Sequence, residues 1–384
     1  MAKWKRLGAA AAAAFLMIAP SALAGDGPAD GLTLRQCIDI SLARNPLWLS
    51  AEEDYRASLA RVRQAREAPQ PSLDYDSDLQ PRLFDFGGSG EAYFGVSQTL
   101  EFPGRRSLRG KIAASESREV LADKDLLRLD VVFRVKEAFY AVLRAGERRK
   151  YAAQDLGLAR DFLAKAEAKF EAGDAAKLEV VRAGVEASKA ATALKLAEND
   201  VLLAKARLNY LLGRAKFEPL EVQGGLVRAP VPIDREALVE RALRSRPEVA
   251  RIRAGLEKES RRKSDAALSY LPDFALSLSR HRLAGEATTW DFRLSFPVPL
   301  FFWQPARGRI AEARANIRSL ERRSKDLANR IGLEVGEACF NARTAAERIV
   351  LFEKEILAQA EDVYELVLFS FQEGEASGIE LIEA

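Results

Sequence analysis

The sequence is short of the residues from which most active sites are made. Its 384 residues include one histidine, His281, and two cysteines, Cys37 and Cys339. No group of His, Cys, Asp and Glu has metal-ligand spacing, and no nucleophile–base motif or phosphate loop stands out. An enzyme is therefore not expected, and no cofactor is called for. Each cysteine sits in the apolar stripe of a helical segment, where it reads as a small buried hydrophobe. His281 is expected on an outward face near a strand end, as a solvated or interfacial residue.

Long hydrophobic runs are also missing. The best candidate is at the start, where Lys3, Lys5 and Arg6 precede the alanine-rich stretch Leu7 to Ile18, and Ala22-Leu23-Ala24 forms a small-residue cleavage site. That run is shorter than the roughly 20 residues a spanning helix needs. Residues 1–24 are accordingly read as a signal peptide, and the chain as exported. Gly25 follows the site where a lipid anchor would need cysteine. Nor does one charge dominate: removing residues 1–24 takes 59 Lys+Arg down to 56, against 56 Asp+Glu. A neutral chain without a basic patch is not expected to bind nucleic acid.

What the chain does contain is a copy of itself. Phe371, Gly374 and Glu380 repeat Phe170, Gly173 and Glu179 at a distance of 201 residues. At the same distance Asn45-Pro46 matches Arg246-Pro247, and Pro71 matches Pro272. Gly110-Lys111-Ile112-Ala113 recurs as Gly308-Arg309-Ile310-Ala311 at 198, and Val135, Glu137 and Ala138 recur as Val335, Glu337 and Ala338 at 200. This is an internal duplication. Its units are residues 33–213 and 234–384, joined by a Pro- and Gly-bearing linker, 214–233.

Each unit runs in one order. A helix (33–68, 234–269) precedes two alternating segments (72–79 with 91–102, 273–282 with 287–296). A very long helical stretch follows (105–170, 306–371), then a glycine-bearing turn and a return helix starting near 177 and 378. Phe274, Leu276 and Leu278 alternate with Ala275, Ser277 and Ser279; Trp290, Phe292 and Leu294 alternate with Asp291 and Arg293. Leu73 and Tyr75 face away from Asp74, Asp76 and Asp78. Strands with one apolar and one polar face suit a soluble sheet on helices or a membrane barrel with a wet lumen. Export and the aromatic-rich apolar faces favour the barrel. Four strands cannot close one, and open edges are forbidden in lipid, so three copies supplying twelve strands are expected. The polar positions Asp74, Asp76, Asp78, Asp291 and Arg293 would then line the lumen.

In this order, twice over, the chain resembles the TolC-type outer-membrane efflux channels. The likeness rests on Thr33-Leu34-Arg35 leading to Asn45-Pro46, on SQTLEFPGRR (97–106), on LSFPVPLFF (294–302), and on two F-x-x-G turns each followed by an L/I-E pair. SQTLEFPGRR and FPVPLFFW look most like the branch that serves heavy-metal resistance pumps. The resemblance implies a mainly α fold with a small β part: long helical hairpins forming a periplasmic tunnel, and four strands per chain in a trimeric 12-stranded β-barrel in the outer membrane. It also implies outer-membrane lipid, a periplasmic adaptor and an inner-membrane efflux pump as partners. The turns, with Phe170, Gly173, Asp174, Phe371, Gly374 and Glu375, would form the periplasmic tip that meets the adaptor and closes the tunnel. A drug, solvent or type I secretion channel would use the same architecture. A periplasmic scaffold or adaptor without a pore is the alternative of another class, although adaptors usually carry one hairpin where this chain has two. One departure is the ending. The first unit runs 30 residues beyond Ala183 to Gly213, whereas the second ends at Ala384, so most of the last helix is expected to be missing.

Overall fold

The computed structural model describes residues 31–78, 90–173, 175–227, 234–298, 303–373, 376 and 380. The expected signal peptide lies outside them. The chain begins with α1 (Leu34–Arg44), where Thr33 and Gln36 form a capping box. The pattern over 33–68 suggests one helix, but the structure breaks it at Asn45. Pro46 has no N–H to give the preceding turn and pushes the residue before it out of the helical region. Asn45 is therefore extended, and its Oδ1 accepts from the N–H groups of Leu47 and Trp48 to start α2 (Pro46–Gln64). The same break at Arg246-Pro247 separates α5 (Arg235–Ser245) from α6 (Pro247–Leu268).

After α2 come β1 (Ser72–Asp78), β2 (Glu91–Leu100), α3 (Arg105–Ala172) and α4 (Lys177–Leu211). After α6 come β3 (Phe274–Leu283), β4 (Thr289–Ser295) and α7 (Trp303–Leu351). The second long stretch, expected as one helix over 306–371, is not uniform. A five-residue π turn, Phe352–Ile356, separates α7 from α8 (Leu357–Gln372). The return helix expected near 378 falls largely outside the described residues. The four strands form one antiparallel sheet in the order β1-β2-β3-β4.

The 68 residues of α3 span about 100 Å at the standard rise. Different neighbours cover it at different heights: α2 and α6 below the sheet, α1 and α4 further along. The upper contact is polar. Glu116, Glu119 and Asp123 of α3 meet Arg262, Lys258 and Arg251 of α6 at 2.7, 2.6 and 3.1 Å. Ser58 and Ser117 share a buried hydrogen bond of 2.9 Å between α2 and α3. Lys124 pairs with Glu52 and lies over the rings of Trp48 and Tyr55. Its hydrogen bond is the main reason the Glu52 carboxyl is held below the usual glutamate range. The pair is intact at neutral pH and is lost as pH falls through that lowered pKa.

The lower contact is apolar. Val131, Val135, Phe139 and Val142 of α3 pack with Val201, Ala204 and Leu208 of α4, with Leu212 and Leu220, and with Cys37 of α1. Burial pushes the Cys37 thiol up to about 11, with Arg214 opposing, so Cys37 stays a protonated, inert core residue. Cys339 is half-buried on α7. The end of α1 closes the end of α4: Ser41 Oγ and Asn45 Nδ2 both donate to the Leu211 carbonyl, at 2.8 and 2.9 Å. Gly213 has φ +67°, and a Cβ there would come within 2.6 Å of the Arg44 carbonyl oxygen, so the approach requires glycine. The segment expected as a linker starts as packed chain. Leu220 is buried, Val222 bridges Leu32, and Asn209 Nδ2 donates to the Glu218 carbonyl at 2.8 Å. Arg214 pairs with Glu218 and, chiefly by that hydrogen bond, lowers its pKa. Residues 228–233 lie outside the described residues.

Replacing Asn45 with Ala removes the cap of α2 and one of two donors to Leu211. A loss of about 1–2 kcal/mol is expected, measured as a lower denaturation midpoint of the purified protein in detergent. An unchanged midpoint would show that Ser41 alone suffices to hold the junction.

Candidate channel-forming surfaces

The sheet presents two chemically distinct faces because residues alternate strictly along each strand. Cross-strand partners keep the alternation in register: Tyr75 opposite Phe94, Leu73 opposite Val96, Val96 opposite Leu278, and Leu278 opposite Phe292. This apolar face is uncovered in the single chain, with Leu73 at 74%, Trp290 at 68% and Phe292 at 69% exposure. Apolar patches of this kind mark contact with lipid or another protein. β1 and β4 are the outer strands, so the sheet has two open edges, which lipid does not tolerate.

The opposite face is polar. One cross-strand row runs Asp74, Gly95, Ser279, Asp291; the next runs Asp76, Tyr93, His281, Thr289. Asp78 stands opposite Glu91, and Arg293 stands opposite Ser277. All five charged positions singled out from the sequence therefore share one face, Asp74 to Asp78 on one outer strand and Asp291 with Arg293 on the other. Gly95 permits close packing here, since a Cβ on it would meet the Ser279 Cβ at 2.7 Å.

His281 corrects its sequence reading. It shares the face of Ser277 and Ser279, not that of Leu276 and Leu278, and stacks on Tyr93 with ring centres 4.2 Å apart and planes 7° from parallel. Tyr93 donates to Glu91 Oε1 at 2.6 Å. His281 Nε2 lies 2.9 Å from the same oxygen, but off the direction of a hydrogen bond. Asp291 Oδ2 is 3.9 Å from its Nδ1. Glu91 and Tyr93 were not singled out from the sequence. Their odd-numbered parity with Gly95 and Ser97 was the available signal.

The sheet is fastened to the helices at one end. Asp273 accepts from the Phe102 N–H at 2.8 Å and pairs with Arg105 at 2.6 Å, and Arg109 pairs with Glu101. The far end of α3 lies some 100 Å away. There Gly173, at φ +86°, ends the helix, and its N–H reaches the Lys169 and Phe170 carbonyls. Phe170 is exposed and Phe371 is half-buried. Lys169 Nζ sits 5.1 Å from the centre of the Phe371 ring, bringing the ends of α3 and α8 together. Asp174, Gly374 and Glu375 lie outside the described residues. Among the described residues no three His, Cys, Asp or Glu side chains are placed to hold a metal ion. No described helix is long and apolar enough to cross a membrane.

Residues 37–214 and 238–384 match the family described as Outer membrane efflux protein. The chain belongs to this family. As an outer membrane efflux protein it is 26% identical over 360 residues to the cobalt-zinc-cadmium resistance protein CzcC of Cupriavidus metallidurans, covering 92% of this chain and 83% of that one. Among solved structures, the outer-membrane channel OprN superposes with a TM-score of 0.74 at 20% identity, over 91% of this chain and 82% of that one. VceC of Vibrio cholerae also gives 0.74, at 15% identity, over 91% and 88%. The fold is that of these channels: mainly helical, with a four-stranded antiparallel contribution to a barrel. The outer membrane is its location.

The apolar face of the sheet in this efflux protein should therefore meet lipid. Phe292→Arg is expected to cost roughly 2–4 kcal/mol near the midplane and to deplete heat-resistant assembled protein from outer-membrane fractions. Ser277→Arg, on the polar face, should leave assembly near wild type. Equal losses at both positions would instead indicate a sheet buried on both sides.

Proposed function

We propose that this protein is the exit duct of a tripartite efflux system, closed as a homotrimer and fed by an inner-membrane pump through a periplasmic adaptor. One observation carries the reading: a two-faced sheet with both edges open is fastened at one end to helices far longer than a compact core needs. Closing the edges with two further copies gives twelve strands, an apolar belt towards lipid and a lumen lined by Asp74, Asp76, Asp78, Asp291 and Arg293. In each copy the repeats 33–213 and 234–384 contribute equivalent halves of the wall. Phe170, Gly173, Asp174, Phe371, Gly374 and Glu375 form the tip that meets the adaptor. The duct does no chemistry, and the pump does the work.

Heavy-metal cations are the proposed cargo. The lumenal surface carries four aspartates to one arginine among the positions named, and a field of that sign concentrates cations at the exit. The likeness to CzcC supports the same substrate class. The chain needs no metal site of its own for this role, since a duct that bound its cargo tightly would retain it.

Purified protein reconstituted into planar bilayers under a KCl gradient tests the reading. A cation-selective conductance is expected, falling about twofold or more in selectivity when Asp74, Asp76 and Asp78 are changed together to Asn. Chemical crosslinking in outer-membrane fractions should show a three-chain species. Release of the protein with the periplasm, or bilayers that stay silent, would overturn the duct in favour of a poreless scaffold.

A further inference from the structure

The apolar face of the sheet ends in cations. Along β3 the positions of that face read Phe274, Leu276 and Leu278, then Arg280 and Arg282. Arg280 stands between Phe94 on β2 and Trp290 on β4, and Phe94 in turn stands opposite Tyr75 on β1. An arginine is thus set in a cross-strand row that is otherwise aromatic. Leu278, Arg280 and Arg282 are exposed, whereas Ser279 and His281 between them are half-buried. That is the pattern of a sheet curled with its polar side inward, so the two arginines project with the apolar residues, away from the bore.

The strands supply no carboxylate to that face. Asp74, Asp76, Asp78, Glu91 and Asp291 all lie on the other one. Arg280 forms no ion pair among the described residues. A lipid-facing arginine is costly near the membrane midplane and nearly free at the edge of the apolar belt. There its stem covers apolar surface while its head reaches the polar layer. The height of Arg280 fits that edge. From exposed Val298, at the helix end, up to Trp290 is roughly 27 Å of extended chain. At the usual strand tilt this is about 20 Å of height, against an apolar belt of about 25 Å. Tyr75 and Trp290 in the same row are residues that favour the headgroup level. Because the helices stand in the periplasm, the edge at Arg280 faces the outer leaflet.

We propose that Arg280 and Arg282, flanked by Phe94 and Trp290, form a binding site for the phosphorylated glycolipid of the outer leaflet, with its lipid A phosphates on the guanidinium groups. A guanidinium is weakly hydrated and meets phosphate through two parallel N–H donors. The phosphate supplies the anion that the strands withhold from this face, and the neighbouring aromatic residues offer apolar surface to the acyl chains below it. The site occurs once per chain. The first repeat has Leu79 and Pro81 at the positions equivalent to Arg280 and Arg282. A headgroup held on β3 fixes the height of the barrel in the outer leaflet. The inference needs the apolar face to meet lipid, and it stands whether or not the protein conducts.

Native mass spectrometry of the full chain, purified in detergent and stripped of lipid, tests this. Bisphosphorylated lipid A, its dephosphorylated form and inorganic phosphate are added in turn. One bisphosphorylated lipid A should be retained per chain, at least about tenfold more tightly than the dephosphorylated form. Arg280→Gln should weaken that binding about fivefold, and Arg280→Gln with Arg282→Gln about thirtyfold. Arg280→Lys should fall between wild type and Arg280→Gln, because it keeps the charge and loses the fork. Arg293→Gln, on the opposite face of the sheet, should bind lipid A as wild type does. Equal retention of the two lipid forms by the wild-type chain would overturn the site without recourse to any variant. Displacement of the lipid by millimolar inorganic phosphate would show a free-anion site instead and overturn the lipid assignment. A loss in Arg293→Gln equal to that in Arg280→Gln would reduce the effect to general charge and overturn it as well.

Discussion

A helix of the length of α3 cannot bury its own apolar side chains, and the arrangement of the chain follows from that constraint. Isolated helices gain little from propensity alone, so tertiary cover has to supply most of the stability. Here the cover changes along the axis. Charged α6 and polar α2 flank the part nearest the sheet, and apolar α1 and α4 flank the part beyond. The change of partner explains why the apolar residues of α3 do not hold to one stripe. It also explains the mixture of ion pairs at one height and a Val, Phe and Leu core at another.

The point where α1 meets α4 transmits this packing into the rest of the fold. Asn45 does two tasks there, capping α2 with its oxygen and satisfying the Leu211 carbonyl with its nitrogen. Because Pro46 prevents α1 from continuing, α2 can leave in a new direction, towards the sheet. The sheet then inherits its position from Asp273, which ties the strand entry of the second repeat to the helix entry of the first. Efflux through an outer membrane requires an apolar belt and a polar bore at one end of a long wall, and these two junctions put the sheet at the end of the helices.

The repeats are similar without being interchangeable. α1 contributes Cys37 and Ser41 to a buried core, whereas its counterpart α5 has no buried residue. α3 is continuous where α7 and α8 are divided by a π turn. Duplication supplies the plan, and the departures from it mark where one half is braced and the other is free to differ.

The sequence by itself determined the duplication, the order of elements, the long helical stretches and the alternation of the strands. These are properties of local periodicity and spacing, and they survive without any knowledge of what packs on what. Asp74, Asp76, Asp78, Asp291 and Arg293 could be placed on one face for the same reason, because side chains alternate along a strand. His281 has the parity of Ser277 and Ser279, and the strand pairing puts it on their face. Only the tertiary structure showed Glu91 and Tyr93 beside it, since those contacts join strands far apart in the chain. Breaks at Asn45 and Arg246 were foreshadowed by the prolines, yet the direction each helix then takes depends on what its end touches. The π turn within the second long stretch was not legible, because no proline marks it and its hydrogen bonding departs from the α pattern by a single residue.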